Sequence, residues 1–136
     1  MSPYREVDHT ADWALHVWAP TLEALFVDAA RGMQALAGVS AETGGGANAT
    51  RRVVLEAADA ESLLVAWLQE LLYLGEAEGR VFDPIAIETL TPTRLQARVR
   101  GRETGSTIRD IKAVTFHNLA IRQIEGGYEA TLVFDV

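Results

Sequence analysis

With 136 residues, 49% of them hydrophobic and 23% charged, the chain has the make-up of a single folded domain that buries about two-thirds of its unfolded surface, not of a disordered segment. It contains no cysteine, which excludes disulfides, thiolate zinc sites, iron–sulfur clusters and thiol nucleophiles together. Twelve Lys and Arg against 19 Asp and Glu leave a formal charge of −7, which opposes direct binding to a polyanion, so any nucleic acid is expected to be held through a partner.

Tyr4 to Val7 and Trp13 to Ala19 read as short strands, the second with Trp13, Leu15 and Val17 on one face and Ala14, His16 and Trp18 on the other. Between them lies the polar run Asp8-His9-Thr10-Ala11-Asp12. Thr21 is a fitting N-cap for a helix in which Leu22, Leu25, Phe26, Ala29, Met33 and Leu36 recur at helical spacing up to a stop at Gly38. Ser40 to Thr50, centred on Gly44-Gly45-Gly46, has loop composition and lacks both the P-loop ending and the GxGxxG spacing.

Arg51 to Ala57 alternates as a strand, and Asp59 caps a second helix whose apolar stripe is Leu63, Leu64, Trp67, Leu68, Leu71 and Leu72. Glu61, Gln69, Glu70 and Glu76 mark its solvated side, and Gly79 ends it. Strands are then expected at Arg80 to Phe82, Ile85 to Leu90, Arg94 to Gly101, Ile111 to Ile121 and Tyr128 to Phe134, the last two joined by a turn at Gly126-Gly127. The expectation is one α+β domain over residues 1–136, with two main helices packed on a largely antiparallel sheet. No apolar run has the length of a signal peptide or membrane span, so a cytoplasmic location is expected.

Three groups of residues could carry chemistry. Asp135 and the α-carboxylate of Val136 make a chelating pair if the end is ordered, and Asp12 or Asp8 would add a third oxygen if the last strand pairs beside the first ones. Hard oxygen donors without thiolates suit Ca²⁺ or Mg²⁺ better than Zn²⁺. A frayed, solvated end is the plainer reading. His9 could instead be a general base held by Asp8 or Asp12, although Asp and Thr at such a turn also serve simply as caps of the backbone. No GxSxG or HExxH motif accompanies His9, His16 or His117, so a metal-dependent phosphoester hydrolase built on Asp12, Asp135 and His9 is an alternative without a signature.

Lys112 is the one Lys beside eleven Arg, and a compact ammonium is not interchangeable with a planar guanidinium at a tight site. Arg94, Arg98, Arg100 and Arg102 share one face of a strand, a basic stripe in an acidic chain. It is either a solvated outer face or a docking surface for an acidic partner or an RNA backbone, the basis of a third, chaperone-like or RNA-binding option.

Four separated segments together resemble the archease family: Asp8-His9-Thr10-Ala11-Asp12, Leu63 through Tyr73, Ile111-Lys112-Ala113-Val114-Thr115-Phe116-His117, and Val133-Phe134-Asp135-Val136. Their order and spacing extend the resemblance over essentially the whole chain. It implies a compact α+β fold and an accessory protein, not itself a catalyst, that promotes guanylylation and multiple turnover of an RtcB-type RNA ligase in tRNA splicing and RNA repair. It further implies a divalent metal, with Ca²⁺ the expected ion, on Asp12, Asp135 and Val136, a part for Lys112 in activating the ligase, and supporting parts for Asp8, His9 and Thr10. RNA would be reached mainly through the ligase. Trp13, Ala66, Gln69 and Phe116 depart from the commoner family residues, and none of them is one of the implied site residues.

Overall fold

A computed structural model of the chain describes residues 3–8, 13–38, 49–103 and 111–136, with residues 6–8 described as backbone only. Strands β1 (Tyr4–Asp8) and β2 (Trp13–Ala19) form an antiparallel hairpin in which Asp8 stands opposite Trp13. Helix α1 (Leu22–Leu36) begins where the Thr21 hydroxyl accepts the Ala24 N–H at 3.1 Å, as its sequence predicts. Strand β3 (Ala49–Glu56) leads to helix α2 (Ala60–Glu78), capped by Asp59 and closed by Gly79, whose left-handed φ of 64° suits a residue without a Cβ. The Ser62 N–H, 2.7 Å from the Asp59 carboxylate, holds that group below the usual carboxylate range. The cap therefore contributes stability that is lost as pH falls through its lowered pKa.

The remaining strands are β4 (Arg80–Thr91), β5 (Arg94–Glu103), β6 (Ala113–Thr115), β7 (Arg122–Ile124) and β8 (Gly127–Asp135). They divide between two wholly antiparallel sheets. One runs β1-β2-β8-β6 with β7 also on β8, and the other runs β3-β5-β4.

Two expectations are corrected. The break expected at Asp83-Pro84 is a register shift within one strand, because β4 is a sheet edge and a proline without an N–H is tolerated at an edge irregularity. Of the strand expected from Ile111 to Ile121, only Ala113–Thr115 (β6) is strand, and the next strand, β7, begins beyond it at Arg122. A turn closed by the Leu119 N–H on the Phe116 carbonyl at 3.0 Å, with Asn118 at φ 51°, takes the chain out of the sheet between them.

Both helices lie against both sheets, and their apolar stripes meet in one core. Leu25, Phe26, Ala29 and Met33 of α1 join Leu63, Leu64, Trp67, Leu68 and Leu71 of α2, Leu15 and Val17 of β2, Leu132 and Phe134 of β8, and Val53, Leu95, Ala97 and Val99 of the second sheet. Gly32 is where α1 comes closest to the hairpin, since a Cβ there would lie 2.7 Å from Leu15 and 2.9 Å from Tyr4. Helix α1 thus seats β2, and β2 seats β8.

Candidate functional site

The candidate site rests on the pairing of β2 with β8. Trp13 is opposite Phe134, Ala14 opposite Val133, and Leu15 opposite Leu132, so the end of the chain runs back along the second strand. Phe134 is fully buried and anchors that end, whereas Asp135 and Val136 emerge exposed just beyond it. This is the pairing that a shared site would require. Asp12, His9 and Thr10 lie outside the described residues, and Asp8 is described only as the backbone partner of Trp13.

On the other side of β8, Ala113 is opposite Asp135, and the Lys112 N–H donates to the Asp135 carbonyl at 2.8 Å. Lys112 is exposed, and its backbone is held beside that of Asp135. Asp135 makes no ion pair with the described residues, and its carboxylate is available to a cation. Among the described residues no cluster of three or more His, Asp or Glu could by itself hold a metal ion. The Asp135 carboxylate is a hard oxygen donor of the kind that suits Ca²⁺ or Mg²⁺, and a metal there would need further ligands from outside that set.

Strand β6 is too short to hold its own place, and α2 holds it. The Gln69 Oε1 accepts the Val114 N–H at 2.9 Å, and the Glu61 Oε2 accepts the Ile121 N–H at 3.0 Å. These two side chains, expected on the solvated side of α2, instead satisfy backbone donors at the two ends of the segment that leaves the sheet. Helical periodicity shows only that they lie off the apolar stripe and cannot show that a strand edge waits there. Gln69→Ala is expected to cost about 1–3 kcal/mol by orphaning the Val114 N–H. Amide exchange at Val114 should quicken in the variant while that at Leu68 does not, and equal exchange at Val114 would show that the bond holds nothing.

The histidines divide differently. His16 Nε2 lies 3.0 Å from Glu129 Oε2, and its ring is 5.3 Å from that of Trp18, on the sheet face away from the core. This pair borders an open groove lined also by Asn118, Arg122 and Thr131. No hydroxyl among the described residues hydrogen-bonds His16, so the pair is not part of a Ser–His or Thr–His nucleophile arrangement among them. His117 is exposed, with its ring nitrogen 3.3 Å from the Asn118 amide.

The model of the Archease protein family matches residues 4–136. The chain belongs to the archease family. It is 32% identical to the protein archease of Methanosarcina mazei, over 98% of this chain and 95% of that protein. To the protein archease of Pyrobaculum neutrophilum it is 36% identical, with the same coverage of each. Among solved structures, protein 1598 of Methanobacterium thermoautotrophicum superposes with a TM-score of 0.69 at 26% identity, covering all of both chains. The archease of Thermotoga maritima, described as a possible chaperone, superposes with a TM-score of 0.70 at 19% identity, covering 97% of this chain and 96% of that one. The α+β fold with two helices and antiparallel strands is therefore that of the archeases. No helix among the described residues is long and apolar enough to cross a membrane.

Proposed function

We propose that this archease-family chain is a cytoplasmic metal-binding accessory protein, not an enzyme, that activates an RtcB-type RNA ligase by promoting its guanylylation and so supports repeated turnover in tRNA splicing and RNA repair. The observation that carries the reading is the pairing of β8 with both β2 and β6. It sets the residue after Asp12 opposite the residue before Asp135, and it ties the Lys112 backbone to the Asp135 carbonyl.

In this reading Asp12, Asp135 and Val136 hold a divalent cation, Ca²⁺ by the preference of all-oxygen donors, with Asp8, His9 and Thr10 supporting the turn that bears Asp12. Bound, the ion would neutralise a cluster of carboxylates that otherwise repel one another. The chain's own residues then act as a shaped end. Phe134 anchors it, Lys112 offers a mobile cation to anionic groups of the ligase or its nucleotide, and Asp135 offers the opposite charge next to it.

The surroundings suit a docking protein. Segment 114–121 runs antiparallel to α2, from Gln69 back to Glu61, so Tyr73 lies one helical turn beyond Gln69 on the side toward Lys112. Tyr73 is 66% exposed, an aromatic of the kind enriched in interface centres.

A guanylylation assay of the cognate ligase under limiting conditions tests the proposal. Wild-type protein is expected to stimulate the reaction, and Lys112→Ala or Asp135→Ala to lose about 10- to 100-fold of that stimulation. A ligase indifferent to the wild type ends the activator reading. Full stimulation by Lys112→Ala would remove Lys112 from it.

A further inference from the structure

The arginine stripe falls on the outer face of the second sheet, whereas Asp135 belongs to a strand of the first. Arg94, Gln96, Arg98, Arg100 and Arg102 alternate along the central strand β5 with the buried Leu95, Ala97, Val99 and Gly101. Register adds a member that the single-strand pattern did not include, because Arg52 of β3 stands directly opposite Arg98. Arg52, Arg94, Arg98, Arg100 and Arg102 are five of the chain's 12 Lys and Arg, gathered on one face of two neighbouring strands in a molecule of charge −7.

Only part of that charge is matched. Arg94 pairs with Glu56, and Arg98 with Glu88 at 3.5 Å across exposed side chains, which gives little. Arg52, Arg100 and Arg102 have no ion-pair partner among the described residues, and like charges opposed across strands, as at Arg52 and Arg98, destabilise a sheet. An anion lying along the face would relieve that cost.

We propose that this face docks the phosphodiester backbone of a single-stranded nucleic acid. Alternate residues on a strand stand about 6.7 Å apart, so Arg98, Arg100 and Arg102 form a row about 13 Å long of planar forks suited to phosphate oxygens. No aromatic side chain stands on the described part of the face, and Val54 is its one large exposed hydrophobic residue. It therefore lacks both a stacking platform for bases and the apolar centre of a protein interface. What remains is contact with phosphates, which positions a strand without reading its sequence. The net negative charge of the whole molecule keeps the affinity in the non-specific range, on the order of 10–100 μM.

The test uses the purified full chain and labelled single-stranded oligonucleotides, with no ligase present, read by anisotropy at about 50 mM salt and upward. Four arginine–phosphate contacts predict a slope of log K on log salt of about −3. The Arg52→Gln/Arg100→Gln double variant is expected to bind at least tenfold more weakly, with a slope near −1.4 for the two contacts left. Its melting temperature should not fall, since the repulsion between Arg52 and Arg98 is gone. Arg102→Gln alone should lose about 0.7 from the slope and supplies the answer should the double variant fold poorly. Oligo-U and oligo-A should bind alike.

Absence of saturable binding, an unchanged slope in the variants, or a strong base preference would overturn the proposal. Capture of poly-glutamate with no binding of oligonucleotide would overturn it in favour of an acidic protein partner. The proposed function places guanylylation on the Asp135 end, so an assay of it without RNA fails or succeeds separately from oligonucleotide binding.

Discussion

Replacing Trp67 by alanine is expected to remove about 3–5 kcal/mol of stability, the cost of emptying a large site in a close-packed core. The indole is completely buried where α1, α2 and both sheets meet, and its N–H donates to the Phe26 carbonyl at 3.0 Å, joining the two helices by a polar contact within the apolar core. A domain of this size has about 5–15 kcal/mol in all, so the variant stands close to unfolding at ordinary temperature. Trp67→Phe keeps most of the volume and loses the donor, and it should cost about 1–3 kcal/mol. Denaturant titration is the measurement. A lower midpoint at unchanged slope is expected for both variants, and a loss below about 1 kcal/mol for alanine would contradict the packing described. The same result bears on function, because it separates the Leu and Trp stripe of α2 from the residues of that helix that face strand β6.

Calcium is expected to raise the melting temperature by roughly 6–12 °C at a concentration one hundred times its dissociation constant. A ligand that binds only the folded form contributes about 2.7 kcal/mol at that ratio, and each kcal/mol moves the midpoint by a few degrees in a domain of this length. The shift rests on the proposed metal site and reads it without any ligase. Asp135→Asn and Asp12→Ala should each abolish it, and a chelator should reverse it in the wild type. Appending a residue after Val136 tests the terminal carboxylate in the same way. Asp83→Asn is the control for loose surface binding, since Asp83 is an exposed carboxylate paired with Arg31 at 3.3 Å and is not one of the proposed ligands. A shift of equal size in Asp135→Asn would refute the assignment of that ligand. No shift in the wild type would refute calcium as the ion while leaving the ligase assay to judge Lys112 by itself.

Both experiments depend on β8, and that strand shows how sequence and structure divide the work. Its alternation of Tyr128, Ala130, Leu132 and Phe134 against Glu129, Thr131, Val133 and Asp135 is legible in the chain, and the core takes the first set. Which strands flank it is not legible. An alternating pattern says that a strand has an inner face, and says nothing of which edges it shares, because backbone hydrogen bonds are the same for every residue type. The tertiary structure places β2 on one edge and both β6 and β7 on the other. That choice brings Asp135 beside Lys112 and the start of β2.

By itself, then, the sequence determined the two helices and their caps at Thr21, Asp59 and Gly79, the apolar stripe containing Trp67, and the inward faces of β2, β5 and β8. Each of these follows from local periodicity, or from a capping side chain within a few residues of its partner. The tertiary structure alone decided the partition into two sheets, the interruption between β6 and β7, the bonds from Gln69 and Glu61 that hold that interruption in place, and the approach of Arg52 to the arginine row. Every one of those links residues far apart in the chain, and such contacts are selected by the packing of the whole core, to which no short window of sequence has access.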